Sequence, residues 1–225
     1  MLLHSAPSDW HAPTLWLTSA VVLALLIWAL RSTGLRKVSN TQDALPLGIM
    51  GLAQLALPHL SGGVVEGLSF YPLLTGLSAM MFGFRYSLVL AALTQALNVA
   101  AGLGYWQNMG ISLLVTHVIP ALWILAFLAL AQRYWAKNFF VYVWINGFFG
   151  ASFGIVFCDI ASAALLVGAG PWSWHYIAQF FLPFGLMMTF PEGFITGAFL
   201  TMLVLFKPQW VYTFRDEVYQ MSKPD

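Results

Sequence analysis

Apolar residues gather in seven long stretches separated by short polar gaps. Most approach the roughly 20 residues that a helix needs to cross a bilayer. The pattern predicts helices at about Thr14–Leu30, Ala44–Leu60, Leu68–Phe82, Tyr86–Leu103, Met109–Gln132 and Phe139–Val167, followed by a seventh stretch, Trp172–Phe206. The gap Gly83-Phe84-Arg85 is so short that the third and fourth stretches must form an antiparallel hairpin. The second is short, with Pro46 and Pro58 near its ends, and the sixth is longer than one crossing needs. The last stretch reads as an amphipathic surface segment, Trp172–Phe181, leading into one span from about Phe184 to Phe206. Trp172, Trp174 and Tyr176 suit the membrane–water interface. Pro183 and Pro191 should kink the start of the span.

The charges order these stretches. All nine Lys and Arg fall in alternate gaps: Arg31, Arg36 and Lys37 in the first, Arg85 in the third, Arg133 and Lys137 in the fifth, and Lys207, Arg215 and Lys223 after the last. Cytoplasmic loops collect Lys and Arg. One topology satisfies all of them, with the N-terminus outside and the C-terminus inside. The first stretch has no basic residues ahead of it, so it reads as a retained span and not as a cleaved signal. The expected fold is therefore all-α, a polytopic membrane bundle of about seven transmembrane helices forming one integral domain over 1–225. The bundle covers 14–206 and a cytoplasmic tail covers 207–225. The expected location is the cell (inner) membrane.

Composition narrows the function. Hydrophobic residues make up 60% of the chain and charged residues 8%, with a mean hydropathy of +0.79; soluble domains carry about a quarter charged residues. A net charge of +1 gives no reason to expect a nucleic-acid partner. The single cysteine, Cys158, excludes an internal disulfide and any Cys-x-x-Cys motif. Small residues recur near spacing four, as Ala92, Ala96 and Ala100 and as Gly147, Gly150, Ala151 and Gly154. That spacing lets helix backbones approach closely, most readily within the bundle.

With this topology every histidine falls on the outer face or in the outer half. His4, Asp9 and His11 precede the first span in a floppy leader. His59 closes the second, with Glu66 after it, and His175 lies in the surface segment. His117, Asp159 and Glu192 lie inside spans. Ionisable groups inside a membrane are costly and mark pathways, cavities or partners. Imidazole with carboxylate suits nickel, cobalt, copper(II) or zinc; Met109, Met187, Met188 and Cys158 on the same side leave a softer copper(I) site open. The candidate metal-binding residues are His117, Asp159 and Glu192 in the interior, with His59 and His175 at the mouth and Asn146 as a polar neighbour. Each also has a structural reading: hydrogen bonding to a neighbouring helix, to backbone freed at Pro191, or to water at the surface.

Gly150-Ala-Ser152-Phe-Gly154 formally matches the nucleophile-elbow pattern, but that motif needs a strand–turn–helix. A pairing of Ser152 with His117 across neighbouring spans keeps an intramembrane hydrolase as a remote alternative. No Gly-Lys-[Ser/Thr] phosphate loop is present, so the chain itself is not expected to hydrolyse nucleotide.

The segment from Phe190-Pro-Glu-Gly-Phe-Ile-Thr-Gly197 to Lys207-Pro-Gln-Trp-Val-Tyr-Thr-Phe214 resembles the end of CbiM-like proteins. These are the membrane permease or substrate-capture subunits of energy-coupling-factor transporters for cobalt and nickel. The similarity extends to Leu73–Gly83 and to Val143–Ala151, about two-thirds of the chain in order. The family's metal permeases begin Met-His-Ile, whereas this chain begins Met1-Leu2-Leu3-His4. A second family histidine corresponds to Tyr71. The usual ligand set is therefore not carried over, and the chain reads as a divergent branch. The resemblance implies a membrane component that takes up a divalent transition-metal ion as substrate, with no permanent cofactor and no enzymatic activity. Its implied partners are the lipid bilayer, the metal ion, ATPase subunits and a coupling membrane subunit. The alternative is a non-transporting membrane factor for metal delivery or for assembly of another complex.

Overall fold

The computed structural model describes residues 5–33, 41–65, 68–215 and 219. His4, Arg36, Lys37, Glu66 and Lys223 lie outside the described residues. Helices dominate: α1 is Ala12–Thr33, α2 Thr41–Ala56, α3 Thr75–Ala100, α4 Trp106–Tyr134, α5 Val141–Ala169 and α6 Trp174–Phe206. Among the described residues, the segments around α1, α3, α4, α5 and α6 are five candidate spans by length and composition, the α3 segment being broken at Gly83; α2 is a shorter apolar helix.

The third apolar stretch is where the sequence expectation and the structure part. Residues 68–82 are not one helix. β2 (Leu68–Phe70) pairs antiparallel with β1 (Gly62–Val65), and helix begins only at Thr75. Pro72 explains the delay, because the residue before a proline is driven towards extended backbone. From Thr75 the chain forms a half-helix, residues 75–82, buried along its whole length.

At Gly83 the backbone takes φ 75° and ψ 168°, and α3 turns back on itself. The neighbours give the direction. In the first half Thr75 meets Thr116, Gly76 faces Ile124, and Gly83 faces Tyr212, so the half-helix descends alongside α4. In the second half Leu88 packs with Val118 and Ala29, whereas Ala91 packs with Leu113 and Val22, so the chain climbs back. The hairpin expected at Gly83-Phe84-Arg85 is therefore present, but one of its arms is only half a span.

The described basic residues gather at one end. Arg31 lies in the last turn of α1, and Arg85 stacks on Trp28 at 4.5 Å. Arg133 lies in the last turn of α4, and Lys207 caps α6. The described residues after α6 dock on this end. Tyr212 and Thr213 donate backbone N–H to Met81 and Met80 carbonyls, and Gln132 donates to Tyr219.

The opposite end is closed by the described part of the leader, residues 5–11, which is folded against the bundle where a floppy segment was expected. Ser5 and Trp10 are buried; Trp10 donates to Ser5 Oγ, and Asn108 donates to the Ser5 carbonyl. Trp10 also packs on Trp172. An indole that finds both an apolar bed and a hydrogen-bond partner fixes a segment that polarity alone marks as loose. The expected surface segment Trp172–Phe181 has one buried and one exposed face, with Trp174, Tyr176 and Phe180 exposed. From Trp174 it runs into α6 as one continuous helix, with Ile177 and Phe181 fully buried.

The small residues of α5 do what their spacing suggested, within the bundle. Along the antiparallel pair α5 and α6, Gly147 faces Gly197, Ser152 faces Gly193, and Asp159 faces Gly185. On the other side of α5, Gly150 faces Ile124 and Gly154 faces Pro120 of α4. The outward faces, with Trp16, Leu23, Phe153, Phe190 and Phe199, are apolar and exposed, as a lipid-facing surface requires.

Candidate functional site

Proline creates the first element of the site. Pro120 has no N–H, so the carbonyl of Thr116 loses its helical partner. The hydroxyl of Thr75 fills that place, donating to Thr116 O at 2.9 Å. Just before the proline, Leu114–Val118 is a π-helical turn within α4. Such wide turns often mark functional sites. This one carries His117, 2% exposed, whose Nε2 lies 3.3 Å from Ser87 Oγ.

His117 lines a cavity of about 50 Å³ between α2, the segment before α3, both halves of α3, and α4. Tyr71, Thr75, Gln95, Asn98 and Thr116 contribute polar groups to the same wall. Thr94 is tied to Gln54 Oε1 at 3.4 Å and to the Leu90 carbonyl at 3.0 Å. Gln95 Nε2 is buried with no hydrogen-bond partner among the described residues. A polar cavity of this size holds a few waters or a partly hydrated ion. In a bundle whose outer surface faces lipid, non-helical backbone is tolerated where it is buried in protein or lines a cavity, and residues 71–74 do both.

Glu192 stands behind that wall. Its Oε2 accepts the backbone N–H of Leu73 at 2.8 Å, the N–H groups of Leu74 and Thr75 lie near the same carboxylate, and Oε1 has no hydrogen-bond partner among the described residues. Leu74 has φ 53° and ψ 18°, the left-handed conformation. A left-handed residue beside right-handed ones turns successive N–H groups to one side and makes an anion-binding nest. Here the nest sits at the N-terminus of the buried half-helix, where a negative charge is doubly favoured. Gly193 lets α6 lie against Ser152 and Phe148 of α5 at this level.

The remaining candidates are dispersed. Among the described residues no group of three His, Cys, Asp or Glu side chains comes together to hold a metal ion. His117 and Glu192 lie on two sides of the same segment, 73–75. Asp159 is 2% exposed, faces Gly185, and its carboxylate has no hydrogen-bond partner among the described residues. His59 is exposed beside Pro58, a cavity residue, whereas His175 is exposed on α6 and His11 on the leader. Asn146 is fully buried in a π-helical stretch, without a partner among the described residues. Of the softer set, Cys158 is buried in a cluster against which Met188 also packs, whereas Met187 is 66% exposed and Met109 packs near Leu113 in a different cluster. Ser152 Oγ faces the backbone of Gly193, and the hydroxyl beside His117 is that of Ser87.

Sequence reasoning missed Thr75, Thr94, Thr116 and Gln54 as site residues. The position of Pro120 four residues after Thr116 was the one available signal, since it announces a carbonyl in need of a donor.

The comparisons agree with this architecture. A solved structure described as a transition metal transporter is similar at a TM-score of 0.75 and 15% identity, over 89% of this chain and 92% of that one. No curated protein matches the chain significantly. The sequence matches the CbiM family, described as the cobalt uptake substrate-specific transmembrane region, over residues 10–210. The chain, a multi-pass membrane protein, belongs to the CbiM family.

Proposed function

We propose that the chain is the substrate-capture subunit of a transition-metal uptake system and that the His117 cavity receives the ion. The observation that carries the reading is a polar, histidine-bearing cavity inside a bundle with an apolar outer surface, in a member of a cobalt-uptake family. Polar groups at such depth are retained for transport or for structure. Gln95 Nε2 has no partner among the described residues, so it is free to donate to water carried by a hydrated ion.

The cation, cobalt or nickel in charge and size, enters from the face opposite the basic loops. It exchanges part of its water for the His117 imidazole and for the hydroxyl and amide oxygens around it. Nε2 engages Ser87, so Nδ1 is the nitrogen left for the substrate. His59, exposed beside Pro58, belongs to the mouth of the path. Imidazole must be neutral to bind a metal, so capture weakens in acid. In this reading the basic end faces the cytoplasm, where separate ATPase and coupling subunits drive release. The chain acts as a carrier in the cell membrane and not as an enzyme.

Metal accumulation in cells expressing the chain with and without its ATPase and coupling partners tests this. Accumulation of cobalt or nickel that requires both chain and partners supports the reading; no chain-dependent accumulation refutes it. Labelling at Gln209 fixes the sidedness, because a tag reachable from outside intact cells reverses the proposed path.

A further inference from the structure

We infer that Glu192 is a positioning residue: its carboxylate clamps segment 73–75 and so shapes the His117 cavity, an inference that rests on reading that cavity as the substrate site. Glu192 Oε2 accepts the Leu73 N–H at 2.8 Å, the Leu74 and Thr75 N–H groups lie near the same carboxylate, and Oε1 has no hydrogen-bond partner among the described residues. Leu74 adopts the left-handed conformation, which a leucine side chain does not favour unless its surroundings hold it there. The surroundings are two anchors on opposite sides. Glu192 of α6 takes the Leu73 N–H, and Thr116 of α4 takes the Thr75 hydroxyl. Between the anchors, Leu73 and Thr75 present side chains to the cavity. The wall of the cavity is therefore set by a residue outside its lining.

The chemistry specifies a carboxylate. Oε2 faces a backbone donor, the Leu73 N–H, and an ionised carboxylate offers acceptor capacity alone. A glutamine of the same shape offers Leu73 at best a neutral amide oxygen and forfeits the charge-assisted bond. Used in this way, Glu192 acts on the substrate through the backbone it holds. Its effect must then appear when no metal is present, which separates a clamp from a ligand.

The test uses the full chain in lipid nanodiscs with metal removed by a chelator. Leu73→Cys places a thiol on the clamped segment, and the native Cys158, fully buried, reports on the rest of the bundle. Maleimide labelling at position 73 is expected to rise about tenfold or more on adding Glu192→Gln, the scale of a lost charge-assisted hydrogen bond, while Cys158 stays unlabelled. An unchanged rate at 73 in the metal-free protein overturns the inference, whatever the metal uptake of the variant. If Glu192→Gln also opens Cys158, Glu192→Asp decides. A retained carboxylate is expected to hold the rate at 73 within about threefold of the parent, and a rate as high as the glutamine variant's overturns the clamp.

Discussion

The hydroxyl of Thr75 donates to the carbonyl of Thr116 at 2.9 Å, and that carbonyl is the one Pro120 leaves without a helical donor. One bond thus repairs the proline break in α4, fixes the start of the half-helix, and sets the wall beside His117. Thr75→Val should strand a buried carbonyl and lower stability by about 1–3 kcal/mol. Pro120→Ala returns an N–H to the helix, so the double variant should lose less than the sum of the two single ones. Thermal unfolding of the four proteins in detergent measures the coupling. Strict additivity would show that the two residues do not share this carbonyl.

Gln95 is expected to separate stability from function. Its Nε2 is buried without a partner among the described residues, and it lines the cavity. Replacing it by leucine removes an amide whose burial costs about 1–3 kcal/mol when unpaired. Gln95→Leu should melt at or above the parent temperature while accumulating less metal. A variant that is less stable and transports normally would assign Gln95 to the scaffold.

Two glycines give opposite predictions from the same substitution. A Cβ at Gly193 would collide with Ser152 Oγ and come within 2.8 Å of the Phe148 carbonyl, whereas one at Gly168 meets nothing within 4 Å. Gly193→Ala should cost about 1–3 kcal/mol through overpacking between α5 and α6. Gly168→Ala should be neutral or stabilise by about 0.5–1 kcal/mol, since alanine suits a helix interior better. Comparable melting temperatures for the two variants would mean that the seam between α5 and α6 has room to spare at Gly193.

Ser152 should be dispensable for chemistry. Its hydroxyl faces the Gly193 backbone and lacks a hydrogen-bond partner among the described residues, while His117 engages Ser87. Ser152→Ala is expected to leave metal accumulation unchanged and to relieve part of the damage of Gly193→Ala. Loss of transport with an intact fold would give that serine a direct role in moving the ion.

Features were legible in the sequence where their signal reflects burial in lipid. Apolar length and the placement of Lys and Arg were enough to find the helices and the single basic end for that reason. The Gly83 turn was visible in the shortness of its gap. The half-helix was not. An apolar run reads the same whether it crosses the bilayer or packs inside the bundle, and only Pro72 hinted at its late start. His117 and Glu192 were identifiable as costly residues in an apolar setting. Their surroundings were hidden, since the nest at Leu73–Thr75 depends on a left-handed leucine where glycine or asparagine would have been the sequence sign. Trp10 and Ser5 were missed for a related reason: a short polar leader carries no periodicity, and its burial depends on Asn108 and Trp172, far along the chain.

Cobalt(II) binding by the purified chain in nanodiscs, counted by elemental analysis beside His117→Ala and Asp159→Asn, tests the central claim most directly. A cation held in the His117 cavity predicts cobalt bound to the parent chain and to Asp159→Asn, with affinity reduced about tenfold or more in His117→Ala, as expected for loss of a metal ligand or its close support. Cobalt retained in full by His117→Ala, or lost only in Asp159→Asn, would contradict the account and move the site to the Asp159–Gly185 contact.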